Sequence, residues 1–141
     1  MRGTVSGPGV RNWLARLWTN DVETGATASY PDVRPLELAI PPSAAYAAAI
    51  EAARAMPRWT LLKHDAGARR IRAEARTKRM EFVDDVEVWI EPVGGRASRV
   101  RARSGSRVGF TDFGTNARRL RAYLARVAEI ARAQRPSGPS G

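Results

Sequence analysis

Three stretches of the sequence alternate between apolar and polar residues, which is the period of a β-strand with one buried face. The clearest is 70–77, where isoleucine and alanine alternate with arginine and glutamate, and the other two are 82–91 and 99–103. A fourth stretch, 59–64, is predicted to form a short strand, and short connections separate the neighbours. Strands joined in this way predict an antiparallel meander with one apolar face and one charged face.

Two further stretches have the period of an amphipathic helix. The alanine-rich run 44–56 follows Ser43, which we expect to cap it, and ends before Pro57. The second run, 116–132, carries a stripe made of Leu120, Tyr123, Leu124, Val127 and Ala131. Two such helices can cover the apolar face of the sheet. The pattern therefore predicts an α+β fold, a four-stranded antiparallel meander with two helices on one face, in the order α-β-β-β-β-α.

The rest of the chain flanks this domain. At 141 residues the length is typical of a single domain, which we place at 43–133. Before it, 11–42 is predicted to form a short amphipathic helix and an irregular proline-rich arm. The ends, 1–10 and 134–141, are rich in Gly, Pro and Ser, and we expect both to be disordered.

The arm carries two patterns of its own. A helix over 11–18 would present an apolar face made of Trp13, Leu14, Leu17 and Trp18. Such a helix either docks on the domain, which we favour because it has only about two turns, or lies on an anionic membrane surface. Further on, Leu36, Leu38 and Ile40 alternate, which predicts a short edge strand or an extended segment against the domain.

The charge balance is strongly basic, with 24 Lys and Arg against 14 Asp and Glu, a net charge of +10. Such a balance attracts nucleic acid, anionic lipid or an acidic ligand. However, the alternation aligns opposite charges on neighbouring strands, where each pair contributes about 0.2–1 kcal/mol. The predicted ladder consists of Glu87, Glu91, Arg99, Arg101 and Arg103. With Trp89 as the one aromatic residue expected on that face, nucleic-acid binding is not favoured.

Several kinds of chemistry are excluded or unsupported. The chain has no cysteine, so it forms neither disulfides nor thiolate metal sites, and its one histidine, His64, cannot build a zinc site alone. No nucleotide-binding glycine motif is present, and we expect no cofactor and no metal. Neither an apolar run of about 18 residues nor an export segment is recognisable. We therefore expect a cytoplasmic location, with the cell envelope as the alternative if an export segment has been removed.

The connection 103–116 between the last strand and the last helix is the candidate site. Helix N-termini attract anions, and the residues that would hold one are Arg103, Ser106, Arg107, Asp112 and Asn116. Every residue also has a structural role available: Gly109 and Gly114 for special backbone conformations, and Thr115 or Asn116 as the helix cap. We expect a non-enzymatic binding module whose partner is an anionic small molecule or a protein. A homo-oligomer and peripheral membrane contact stay open.

An enzyme is the main alternative. Asp84 and Asp85, with Asp112 and His64, could serve a hydrolase or hold a divalent cation. Adjacent residues of a strand point to opposite faces, however, so a salt bridge from one of the paired aspartates to Arg103 or Arg107 is favoured. A second alternative is a basic module that binds nucleic acid or an anionic membrane through the arginine ladder and Trp13 and Trp18.

Two motifs resemble those of a known family. Phe82-Val83-Asp84-Asp85-Val86 has the form F-x-D-D-V, and the segment from Arg103 to Arg119 has the form R-S-x-S-R-x-G-x-x-D-x-G-x-N-x-x-R. Together they resemble the domain of unknown function 1499 family, over roughly Tyr30 to Val127. The resemblance implies a small, mostly bacterial domain, sometimes behind an export or lipoprotein segment, with no established activity. This chain lacks the cysteines found near the start of many members.

Overall fold

Six strands and two helices form the part of the chain that the computed structural model describes, residues 19–79, 81–107 and 113–134. The strands are β1 (Thr19–Glu23), β2 (Leu36–Leu38), β3 (Trp59–Asp65), β4 (Arg70–Arg76), β5 (Val83–Val93) and β6 (Ala97–Ser106). The helices are α1 (Pro42–Ala55) and α2 (Phe113–Gln134). Neither of these helices is long and apolar enough to cross a membrane. The predicted segments 1–10 and 11–18, and Gly109 and Asp112, lie outside the described residues, as does the predicted tail 134–141 except for Gln134, which ends α2.

The strands form one antiparallel sheet in the order β1-β6-β5-β4-β3, with β2 also paired to β6. The predicted α+β class, two helices and antiparallel sheet are confirmed, but the prediction of four strands is wrong. The additional strands, β1 and β2, pair with the two halves of β6 through the partners Glu23–Arg103 and Leu38–Ser98. An unpaired edge along β6 would leave its backbone groups open, and these two short strands cover it.

Both helices pack on the apolar face of the sheet, where the core lies. Tyr123 of α2 is fully buried, stacks on Trp59 with ring centroids 5.1 Å apart, and donates a hydrogen bond to the carbonyl oxygen of Ala49 at 2.8 Å. Burial raises the pKa of the Tyr123 phenol. Five buried alanines of α1 let the helix approach the sheet and α2 closely: Ala45, Ala48, Ala49, Ala52 and Ala53.

The predicted helix ends are corrected at two places. Helix α1 begins at Pro42, one residue before the predicted cap, and its N-cap is Pro41 without a side-chain hydrogen bond. Proline fits the first turn of a helix because its missing N–H would have no partner there. Helix α2 begins at Phe113, so Gly114 and Asn116 lie inside it rather than before it. Gly114 has no left-handed φ, unlike Gly25 and Gly94.

The face of the sheet opposite the helices differs from the exposed charged ladder that the alternation predicts. Glu87 and Trp89 are only 3% and 8% exposed. The strand partners of Trp89 are Arg70 on one side and Arg101 on the other. Arginine stems can cover a neighbouring side chain while the guanidinium stays in water, which alternation alone does not reveal.

Candidate functional site

The two adjacent aspartates of β5 point to opposite faces of the sheet. Asp84, fully buried, lies on the helix side and forms an ion pair with Arg119 of α2 at 2.8 Å. Asp85 lies on the other face and pairs with Arg107. The sequence-based expectation of a salt bridge from one of them to Arg107 is confirmed. The two carboxylates therefore cannot share one metal ion through their side chains.

Arg107 is held by two carboxylates. Its Nε donates to Oδ2 of Asp85 at 3.0 Å, and its Nη2 donates to Oδ1 of Asp85 at 2.5 Å and to Oε2 of Glu74 at 2.9 Å. The hydrogen bonds that Arg107 donates, first to Asp85 and then to Glu74, raise the pKa of Arg107. Asp85 and Glu74 are direct strand partners. Like charges in such positions repel, so Arg107 neutralises a pair that β4 and β5 bring together.

A second cluster fastens α2 to the sheet. Nη1 of Arg119 donates to Oδ2 of Asp84 at 2.8 Å, to Oγ of Ser104 at 3.0 Å and to Oδ1 of Asn116 at 2.9 Å. Ser104 donates its hydroxyl to the same oxygen of Asn116 at 2.8 Å. Oδ1 of Asp84, buried as well, accepts no hydrogen bond within the described residues. Arg119 is therefore the main partner that compensates the buried negative charge of Asp84.

The predicted site residues are thus divided among several environments. Arg103 pairs with Asp21 of β1 at 2.8 Å, and Ser106 is buried as the strand partner of Asp84. Arg107 lies with Asp85 and Glu74, and Asn116 lies with Arg119 and Ser104. Asp112 lies outside the described residues. Among the residues that are described, the chain does not gather these side chains around one open anion site.

The predicted charge ladder is confirmed at Glu91, which pairs with Arg99 and Arg101 as expected, and it includes further partners that were not expected. Arg101 pairs with Glu91 at 2.9 Å, and Arg99 lies 3.6 Å from the same glutamate and 2.6 Å from Glu37 of β2. Glu87 pairs with Arg70 of β4 at 3.0 Å. Sequence reasoning missed Asp21 because β1 carries no clear alternation. It missed Glu37 because the alternation of 36–40 indicates a strand but not the strand that pairs with it. It also missed Glu74, whose position opposite Asp85 could have been found from the register of β4 and β5.

The residues of the alternative enzyme site do not converge. His64 is exposed and pairs with Ile71 near one end of β4, whereas Asp84 pairs with Ala75 near the other end. Within the described ranges, no group of three or more His, Cys, Asp or Glu side chains could hold a metal ion.

A cluster of cations lies at the end of the domain where β4 ends and β5 begins. We call it the basic end, and it consists of Arg54, Arg58, Arg76, Lys78 and Arg79. All five side chains are exposed, and none takes part in an ion pair within the described part of the chain. Glu81 is the acidic residue of the same turn. Arg58 and Glu81 both have left-handed backbones, with φ of 61° and 55°.

Backbone hydrogen bonds hold the basic end in shape. The amide of Arg76 donates to the carbonyl oxygen of Arg58 at 3.0 Å, and the amide of Thr77 donates to that of Phe82 at 2.9 Å. The amide of Phe82 donates in turn to the Thr77 hydroxyl at 2.9 Å. A left-handed backbone is strained for residues other than glycine and persists only where the surroundings impose it. The cations are therefore presented by well-defined turns.

Comparison with solved structures finds the di-domain ARO/CYC protein BexL from the BE-7585A biosynthetic pathway, with a TM-score of 0.54 and 16% identity. The match covers 81% of this chain and 47% of that protein, so this chain spans about half of its length. At this identity the likeness shows the fold alone. The protein TTHA0849 from Thermus thermophilus matches over 82% of this chain and 99% of its own, at a TM-score of 0.43 and 11% identity, which is too weak to support an argument.

No curated protein matches the chain. Residues 18–127 match the family described as protein of unknown function (DUF1499). The match begins before the region of resemblance expected from the motifs, and it includes β1. The family resemblance predicted from the sequence is thereby confirmed, and the chain belongs to the DUF1499 family.

Proposed function

We propose that this protein is a non-enzymatic binding domain that engages an anionic partner through the basic end. The observation that supports the proposal is a contrast among the cations. Six arginines of the sheet and of the 103–119 motif are compensated by carboxylates, whereas the five exposed cations grouped at the basic end have no ion pair among the described residues. Within the same described ranges, Lys63, Arg72 and Arg118 have none either, but they are not part of this group. The compensated arginines are Arg70, Arg99, Arg101, Arg103, Arg107 and Arg119.

The proposed anion site differs from the one predicted from the sequence, which was the connection 103–116. An anion at Arg107 would have to displace Asp85, which binds two of its nitrogens, and Glu74, which shares one of them. Charge-assisted, two-point pairs of this kind are the strong ones. The role of these side chains is accordingly to fasten β6 and α2: Arg103, Ser106, Arg107 and Asn116. The anionic ligand would instead contact the exposed cations at the same end of the sheet.

The arrangement suits an extended anionic surface better than a single small anion. The five cations come from the ends of α1 and β4 and from the connections that follow them, so they are distributed rather than converging on one point. Exposed cations of this kind act mainly through long-range attraction, which salt weakens.

The test is the affinity of the protein for inorganic polyphosphate, measured by titration calorimetry at about 50 mM and about 300 mM NaCl. The variant at the basic end is Arg76→Gln/Lys78→Gln/Arg79→Gln. The control, Lys63→Gln/Arg96→Gln/Arg132→Gln, removes the same charge from exposed residues toward the other end of the domain. We expect the first triple to weaken binding by about tenfold or more and the control by less than about threefold. Equal loss in both would show that only net charge matters and would refute the site.

A further inference from the structure

The geometry points to the surface of an anionic phospholipid membrane as the partner of the basic end. This inference rests on the proposed function, since it names the partner of the same site. Four steps support it: an exposed aromatic ring at the same end of the sheet as the cations, grooves along α2 that include none of the five cations, backbone hydrogen bonds next to the cations, and the expected strength of the contact.

The aromatic ring is that of Phe113, which is 44% exposed. It opens α2, one turn before Asn116, whose side chain accepts a hydrogen bond from Ser104 of β6. Arg119, one turn later, reaches Asp84 at the start of β5. Phe113 therefore lies at the end of the sheet where β5 begins and β6 ends, which is the basic end. Apolar rings beside cations are typical of surfaces that lie in the membrane interface.

The shape of this end favours a surface over a strand of nucleic acid. Single-stranded nucleic acid is bound in a basic groove with several aromatic side chains, on which successive bases stack. Two grooves along α2 include none of the five cations: one of about 290 Å³ includes Asp32, Arg121 and Ala128, and one of about 330 Å³ includes Glu37 and Arg132. The five cations of the basic end are exposed and lie at the ends of α1 and β4 and in the connections that follow them.

The turns also reduce the cost of binding. Two hydrogen bonds join Thr77 and Phe82, and the amide of Arg76 donates to the carbonyl oxygen of Arg58. A surface whose backbone is already ordered loses less conformational entropy when it binds. Each cation near an anionic leaflet contributes roughly a fivefold gain in affinity, so three of them account for about a hundredfold.

The experiment uses the full chain with vesicles of phosphatidylcholine alone and of phosphatidylcholine mixed with phosphatidylglycerol, measured by co-sedimentation. We expect binding to the mixed vesicles only, and loss of that binding when NaCl is raised from about 50 mM to about 300 mM. Arg76→Gln/Lys78→Gln/Arg79→Gln should weaken it by about a hundredfold. Lys63→Gln/Arg96→Gln/Arg132→Gln should change it by less than about threefold.

The decisive variant is Phe113→Ser, with Leu62→Ser as its matched control, because Leu62 of β3 is 47% exposed outside the basic end. We expect Phe113→Ser to weaken binding to mixed vesicles by about tenfold, since the ring no longer enters the interface, and to leave polyphosphate binding unchanged. Leu62→Ser should change neither. Both variants are checked by circular dichroism and thermal unfolding, and exposed side chains of this kind are expected to leave the fold intact.

The outcomes separate the inference from the proposed function. Binding of polyphosphate without binding of mixed vesicles would overturn the membrane inference and leave the proposed function standing. Binding of a single-stranded oligonucleotide but not of vesicles would overturn it in favour of nucleic acid. An equal effect of Phe113→Ser on vesicles and on polyphosphate would also overturn it. Failure to bind either vesicles or polyphosphate would refute both proposals.

Discussion

Arg107 and Asp85 form a two-point ion pair in which both oxygens of the aspartate accept hydrogen bonds, at 3.0 Å from Nε and 2.5 Å from Nη2. Glu74, the strand partner of Asp85, binds the same Nη2 at 2.9 Å. One arginine at the end of β6 thus joins β4, β5 and β6 at their common end. The second half of the motif, ending at Arg119, joins α2 to β5 and β6.

Replacing Arg107 should destabilise the sheet without altering its core. In Arg107→Ala, Asp85 and Glu74 face each other without a cation, and Asp85 is almost fully buried. Breaking a buried pair costs about 3–5 kcal/mol, but Arg107 is itself 42% exposed, so we expect about 1–3 kcal/mol in the free energy of unfolding. Urea unfolding measures this. Arg118→Ala, which removes an exposed arginine of α2, is the control and should change the free energy by less than about 0.5 kcal/mol.

The Asp84–Arg119 pair makes a sharper prediction because both partners are buried. Arg119→Met keeps much of the side-chain volume but leaves the Asp84 carboxylate without its cation, at a cost of about 3–5 kcal/mol. Adding Asp84→Asn removes the isolated charge, so the double variant should be more stable than Arg119→Met alone. The comparison is made by urea unfolding of the two single variants and the double variant. A double variant less stable than Arg119→Met would contradict a charge-compensation role for Arg119.

These contacts show that sequence periodicity predicts which face of a strand a side chain lies on but not which strands pair. Alternation identified the faces of β4 and β5, and it placed Asp84 and Asp85 on opposite sides, because the period of a strand is a local property. It could not identify β1, whose sequence Thr-Asn-Asp-Val-Glu has no apolar alternation and whose place depends on backbone bonds to the distant β6. The partners of buried charges, such as Glu74 and Asp21, depend on register and on pairing between strands far apart in the chain.

It was also harder to predict which side chains are buried than to predict which face of the sheet they lie on. Glu87 and Trp89 lie at positions that face away from the helices as the alternation indicates, yet both are buried. Glu87 pairs with Arg70, and the strand partners of Trp89 are Arg70 and Arg101, whose long side chains can cover a neighbour. The excess of arginine was hard to interpret because pairing between side chains on neighbouring strands cannot be read from the sequence alone. Most arginines of the sheet are compensated locally, and only the strand partners show which cations remain available to a ligand.

The buried phenol of Tyr123 predicts a dependence of stability on alkaline pH. Burial raises its pKa in the folded state, whereas in the unfolded state it ionises at about 10. Above pH 10 the unfolded state therefore binds fewer protons than the folded state, and the free energy of unfolding falls as the pH rises. Below pH 10 the phenol is neutral in both states and contributes no pH dependence.

Tyr123→Phe should separate this effect from the lost hydrogen bond to Ala49. At pH 8 we expect the variant to be less stable by about 1 kcal/mol, because the buried carbonyl oxygen loses a donor. Above pH 10 the difference should shrink by up to about 1.4 kcal/mol per pH unit, since only the wild type must keep this phenol protonated. Urea unfolding at about pH 8 and about pH 11 measures both. A difference that stays constant across this range would show that Tyr123 ionises equally easily in both states.

The connection between β1 and β2 offers a test of how firmly these additional strands belong to the domain. Gly25 has a left-handed φ of 73°, and its amide donates to the carbonyl oxygen of Val33 at 2.8 Å. A Cβ added at Gly25 would lie 3.2 Å from Cδ of Pro35, whereas one added at Gly94, with φ of 63°, would meet nothing within 4 Å. Gly94→Ala therefore measures the backbone strain alone, about 1–2 kcal/mol.

Gly25→Ala should cost more than Gly94→Ala, because the same strain is joined by the contact with Pro35. The expected additional loss is about 1 kcal/mol in the free energy of unfolding, as for overpacking at a closely packed position. Hydrogen exchange identifies where the loss appears: amides of β1 and of the facing half of β6 should exchange faster in Gly25→Ala, while those of β4 and β5 keep their protection. If both variants lose the same stability and β1 stays protected, then Pro35 moves aside without strain, and the connection is more adaptable than its close packing indicates.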